Sequence, residues 1–377
     1  MNRVLFCSAL VLLFVSGLAA DAPVAAAKAP PFEVSGWIPY WREATGTVDV
    51  LSHLQDFTAV MPFGYIVQND GSLYDAFGMN ATSSASSANL LRAVTRAEKV
   101  RLVPTVMWSN GAAVGRTLKN GPERRALERR IADLAKARGF DGIDIDFENK
   151  SAATRLYFSL FLEGLYARMG DEFVYCSIEP RTPPSSVFAV LPKKLEYAND
   201  YAAINRYCDR VQIMAYDQGT IDLTLDAAAS STPYVPVADP RWVEKVVNLA
   251  ARYISKKKLI IGIPTYGYEY NLIPLAQGFR YDLDWAFDPD YATELAGSLG
   301  IMPRRNAAGE LSFTYGGATE QLASATPDPL HIVWWSDAVA VRNKIHLAQK
   351  LGVRGVAIFK IDGGEDPGLW NVLPGVK

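Results

Sequence analysis

Eight short apolar runs, each followed by a stretch with helical periodicity, constrain this chain more than any other feature. The runs begin at Val34 (VSGWIPYW), Phe57 (FTAVMPFGY), Arg101 (RLVPTVMW), Phe140 (FDGIDIDFE), Phe173 (FVYCSIEP), Arg210 (RVQIMAYD), Lys258 (KLIIGIPTYG) and Gly355 (GVAIFKID). Between them, Pro122 to Arg138 places Leu127, Ile131 and Leu134 on one face, Ser151 to Met169 opens on a serine cap, and DPRWVEKVVNLAARYI starts with Asp239 as cap and Pro240 in the first helical position. Strands that alternate with helices build a parallel sheet, and eight of them predict an α/β fold of the (β/α)8 barrel type. No GxGxxG follows the first run, which weakens a dinucleotide-binding alternative. The polar, aromatic-rich interval from Tyr268 to Leu330 is too long for a bare loop. It predicts a small α+β insertion between the seventh strand and the last helix, walling one side of a cleft.

The N-terminus has Arg3, an apolar run from Val4 to Leu18 and small residues Ala19 and Ala20. This predicts a signal peptide over residues 1–22, a disordered Ala/Pro linker over 23–31 and a folded domain over 32–377. The expected location is secreted, periplasmic or at the cell envelope, with no stable membrane insertion after cleavage, because the apolar run falls short of a span of about 20 residues. With 377 residues and a formal net charge of -2, the full chain lacks the basic footprint of a nucleic-acid binder. A neutral partner and a monomeric state are expected. Cys176 and Cys208 are read as buried free thiols, with pairing the alternative. His53, His331 and His346 are scattered and no HExxH or CxxC occurs, so neither a metal nor a cofactor is expected.

The fourth run, GFDGIDIDFEN, carries the chemistry. Side chains alternate along a strand, so Asp144, Asp146 and Glu148 share one face and Ile143, Ile145 and Phe147 the other. In a barrel the acids then point inward, and Glu148 lies nearest the C-terminal rim, where barrel enzymes keep their active sites. Carboxylates crowded on one face cannot all ionise readily, and one held protonated near neutral pH is a general acid. Acids on a single strand approach a bound molecule from one side only, so attack from the opposite side needs a separate nucleophile.

The same residues bear a family likeness. Asp141, Asp144, Asp146 and Glu148 match DxxDxDxE, and the run resembles the fourth strand of glycoside hydrolase family 18. GWIPYW, MAYD from Met214, IGIPTYG, VWWSD and Gly355 to Asp362 resemble further segments of that family, with the bacterial branch acting on peptidoglycan or spore cortex the nearest in appearance. The resemblance implies a retaining hydrolase of N-acetylglucosamine glycans in which the substrate's 2-acetamido group is the nucleophile. It implies Glu148 as general acid and base, Asp146 and Asp144 as the relay that orients the acetamido group, and Tyr216 as a hydroxyl donor to its oxygen, with Met214 and Asp217 shaping the same subsite. Trp37, Tyr65 and Trp108 are expected to stack on sugar. Phe359 stands where the family usually has a tryptophan that floors the subsite of the reacting sugar. Chitin oligosaccharides, peptidoglycan strands and N-glycan cores are all compatible with this reading as the partner. Two other readings compete: a conventional retaining enzyme with Glu179 or Glu269 as nucleophile, and a non-catalytic sugar-binding barrel.

Overall fold

The computed structural model describes residues 31–229, 232–316 and 329–377. The expected signal peptide and nearly all of the expected linker lie outside them. Each apolar run contributes a strand: β1 (Glu33–Ile38), β2 (Ala59–Pro62 and Tyr65–Val67), β3 (Arg101–Leu102 and Thr105–Trp108), β4 (Gly142–Phe147), β5 (Phe173–Ile178), β6 (Arg210–Ile213), β7 (Leu259–Pro264) and β8 (Gly355–Phe359). Each pairs in parallel with the next, and β8 pairs with β1, so the sheet closes. β2 and β3 are each interrupted where a proline, Pro62 or Pro104, withholds the N–H that a continuous ladder needs.

Parallel register fixes which side chains meet inside. Asp144 lies beside Thr105 and Tyr175, Asp146 beside Met107 and Ser177, and Ser177 beside Gln212. At the N-terminal end, Glu33 is ringed by Arg101, Arg210 and Arg354, with Arg210 at 2.7 Å and Arg354 at 2.8 Å. Burial alone would raise its carboxyl, but the guanidinia outweigh that and hold it at about 2. Above this plug, Ala59, Met61, Val103, Tyr175, Ile260 and Ala357 fill the interior, so the open end of the barrel is the C-terminal one.

Cys176 and Cys208 form a disulfide, with Cα atoms 6.0 Å apart, which corrects the reading as free thiols. Cys176 is on the outward face of β5, one step off the inward set Tyr175 and Ser177, and Cys208 caps the helix Tyr201–Tyr207 that packs there. Both are fully buried in the layer between sheet and helices, where two sulfurs on packed elements meet.

From Gly267 to Trp335 the chain leaves the barrel for an α+β insertion. The strand Gly267–Pro274 pairs with Phe279–Phe287 and with Leu330–Trp335, which in turn pairs with Leu311–Gly316, and the helix Pro289–Leu299 packs against them. No helix among the described residues is long and apolar enough to cross a membrane.

Candidate active site

A cavity of about 390 Å3 opens at the C-terminal end of the barrel, lined by Asp146, Glu148, Tyr216, Met214, Asp217, Trp37 and Phe359 together with Trp41, Phe63, Met107, Ser177, Glu179 and Pro180. It shares Trp41, Asp217 and Phe359 with a second cavity of about 640 Å3, whose far wall is Trp285, Phe287 and Tyr291 of the insertion. The insertion thus extends one side of the cleft.

The acids of β4 occupy three depths. Asp144 is fully buried and accepts four hydrogen bonds: from Thr105 Oγ1 at 2.9 Å, Ser177 Oγ at 2.9 Å, Trp37 Nε1 at 3.2 Å and Gln212 Nε2 at 3.3 Å. Burial pushes its carboxyl up and those donors pull it back. Asp146 sits one rung higher, 4% exposed, and its Oδ1 has no partner. Burial, then the charges of Glu148 and Asp144, push Asp146 well above the ordinary carboxylate range, against the pull of Lys150. Glu148 is half-buried at the rim; burial and the neighbouring Glu179 raise it, and Lys150 opposes. Each charge in the stack makes the next harder to form. Asp141, the first acid of the motif, has a structural job, accepting from the Leu102 N–H at 2.8 Å.

Two strand ends aim the rim groups. Asn149, after Glu148, and Asp217, after Tyr216, take left-handed backbone angles with φ of 55° and 57°. Such turns are costly for non-glycine residues and concentrate at functional sites. Asp217 is held by the Tyr268 hydroxyl at 2.7 Å and by Tyr266. The Tyr216 ring needs an absent side chain on β7: a Cβ at Gly262 would lie 2.9 Å from its Cε1. Phe359 stacks on Tyr216 with centroids 5.3 Å apart and meets Trp37 edge-on at 5.9 Å.

Two expected sugar contacts are placed elsewhere. Trp108 is one step out of phase with the inward residues Thr105 and Met107, so it faces the helices and meets Phe147 edge-on at 5.5 Å. Tyr65 pairs with Val106 on the same outward face and is 1% exposed. Their places in the cleft are taken by Met107, two residues on from the inward Thr105, and by Phe63, after which the break in β2 turns Tyr65 to the other face. Glu269, one of the two alternative nucleophiles, lies in the insertion. There Trp285 Nε1 at 3.0 Å, Tyr291 OH at 2.7 Å and the Tyr315 hydroxyl already bind it. Together with Asp284 and His331 it forms a group whose donor atoms lie within 4.8 Å of one another. That is the kind of set a cation could use, although Glu269 is already engaged by protein donors. Glu179 does lie in the cleft, but on the strand beside Glu148 rather than across from it.

Known proteins resemble this chain in sequence and in fold. The chain is 23% identical over 266 residues to the uncharacterized glycosylase YvbX of Bacillus subtilis, spanning 70% of this chain and 69% of that protein. It is 26% identical over 302 residues to the cortical fragment-lytic enzyme of the same organism, spanning 78% of this chain but 64% of the relative. Two solved structures share the fold. The Bacillus megaterium spore cortex-lytic enzyme SleL has a TM-score of 0.69 at 24% identity, covering 92% of this chain and 74% of that one. A Chromobacterium violaceum chitinase has a TM-score of 0.69 at 21% identity, covering 92% and 98%. The family model for glycosyl hydrolases family 18 matches residues 40–364, and the chain belongs to that family.

Proposed function

We propose that this chain cleaves β-1,4 bonds beside N-acetylglucosamine in chitin oligosaccharides or peptidoglycan strands, with retention and with the substrate's own acetamido group as nucleophile. The observation that carries the reading is the single cavity into which Asp146, Glu148, Tyr216, Met214, Asp217 and Phe359 converge. Glu148, raised by burial and by Glu179, holds a proton at the rim and delivers it to the glycosidic oxygen as the C1–O bond breaks. The acetamido carbonyl oxygen attacks C1 from the other side, forming an oxazolinium ring. Tyr216 O–H and the carboxyl of Asp146 hold the acetamido group, and Asp144 keeps a negative charge beneath Asp146 that balances the positive charge of the ring. Water, deprotonated by Glu148, then opens the ring at C1 and regenerates both the acetamido group and the acid.

No carboxylate of the protein serves as nucleophile in this scheme, because an intramolecular nucleophile acts at high effective concentration. Secretion into an oxidising compartment is part of the proposal. It rests on the signal-like N-terminus and on the buried disulfide between Cys176 and Cys208.

The test is an assay of wild type and Glu148→Gln on chitin oligosaccharides and on de-peptidated peptidoglycan, with products read by mass spectrometry. Cleavage by the wild type alone, with sugar binding kept in the variant, is expected. Equal rates for both would remove Glu148 from its role, and binding without cleavage by either would make the chain a sugar-binding barrel.

A further inference from the structure

The cleft holds a charged pair, Glu179 and Lys150, that exchanges no proton and attacks no atom in the scheme above. Register sets Asp146 beside Ser177, so the next inward positions on the two strands, Glu148 and Glu179, are neighbours across a spacing of about 4.8 Å. Both line the same cavity. Glu179 is fixed from behind. Its Oε2 accepts from Asn199 Nδ2 at 2.7 Å, its Oε1 accepts from the Asn149 N–H at 3.1 Å, and Lys150 Nζ lies 3.4 Å from both oxygens. The Lys150 side chain is fully buried, with its ammonium 4.8 Å over the Phe158 ring. The left-handed turn at Asn149 sends the chain back so that Lys150 reaches under the rim.

The fully buried Lys150 ammonium and the partly exposed, anchored Glu179 carboxylate stand beside the proposed proton donor and exchange no proton in the proposed reaction, and burying the ammonium is a cost to stability. Replacing such a pair by apolar groups is often neutral or favourable. We propose that Glu179 is a positioning residue that sets the electrostatic field at Glu148, with Lys150 as its counterweight. This rests on the reading of Glu148 as general acid.

The other groups facing Glu148 are few. Asp146 comes from its own strand, the Tyr216 hydroxyl and Asp217 from beyond β6, and β3 presents the uncharged Met107. Glu179 is the largest charge contribution that raises Glu148, and Lys150 the one that lowers it. Removing each should therefore move Glu148 in opposite directions, which loss of packing alone would not do.

The experiment is a carbon-13 NMR titration of glutamate-labelled protein, with the Glu148 carboxyl assigned by its disappearance in Glu148→Gln. It is run on wild type, Glu179→Gln, Glu179→Asp and Lys150→Met. Glu179→Gln should lower the Glu148 midpoint by about one pH unit and Lys150→Met should raise it by a similar amount, while Glu179→Asp stays near wild type. In the wild type and the two charge-removing variants, the alkaline limb of kcat/KM should follow the same order on whichever glycan the wild type cleaves. Midpoints that coincide, or that move the same way in Glu179→Gln and Lys150→Met, would overturn the proposal. Because the titration needs no turnover, a wild type that cleaves nothing would sink the functional reading alone.

Discussion

Ser177→Ala is the smallest cut available in the shell around Asp144. The Ser177 hydroxyl donates to Oδ1 at 2.9 Å, one of four donors on a carboxylate that water does not reach. A hydrogen bond to a charged group is worth about 1.5–3 kcal/mol, and one pKa unit corresponds to about 1.36 kcal/mol, so the variant's Asp144 should titrate about one to two units higher than in wild type. The sign follows from linkage. Burial already holds Asp144 above its unfolded value, so the wild type is most stable with respect to this group at low pH and loses that stability as pH rises through the folded midpoint. The variant goes on losing until its own higher midpoint. The stability difference between the two should therefore be small in acid, grow through the interval between the midpoints, and level off near the full 1.5–3 kcal/mol, roughly, above it. Urea unfolding at a series of pH values measures this directly. The acid limb of kcat/KM should move to higher pH as well, since the proposed reaction needs a negative charge on the Asp144–Asp146 pair. A difference that is flat with pH, or that is largest in acid, would mean that Ser177 supports packing and not the charge on Asp144.

Tyr216→Phe removes one hydroxyl from a ring already fixed by Phe359 and the gap at Gly262, so geometry should hold while kcat falls about 100-fold. Steady-state kinetics with an effect confined to KM would assign Tyr216 to ground-state binding instead. The disulfide links residues 32 apart, and closing a loop of that length is worth about 3.7 kcal/mol in the chain-entropy description. The double variant Cys176→Ala, Cys208→Ala should lose about that much in urea unfolding. Two free thiols counted in unfolded, unreduced protein would refute the link itself.

The barrel was legible because its strands obey a period and its helices announce their starts. Asp239 with Pro240 caps the helix Pro240–Ala250 as the sequence predicts, its side chain accepting the Arg241 N–H. What failed was phase and tertiary pairing. Trp108 ends a strand whose inward residues are Thr105 and Met107, so an aromatic at the right end of the right strand still pointed at the helices. The Cys176–Cys208 link joins two elements whose contact is decided by packing, and a spacing of 32 residues carries no sign of it. Lys150 belongs to the same class, an ordinary surface residue until β4 and β5 stand side by side, whereas Glu179 was legible as an acid of interest but only as an alternative nucleophile. Parity counting from Asp144 through the register recovers Met107, Ser177 and Glu179 on the inward face. The acid motif therefore does more than point to the proposed proton donor. Once its neighbours are known, it indexes every rung of the barrel around it, and the groups that tune the donor can be read from those rungs.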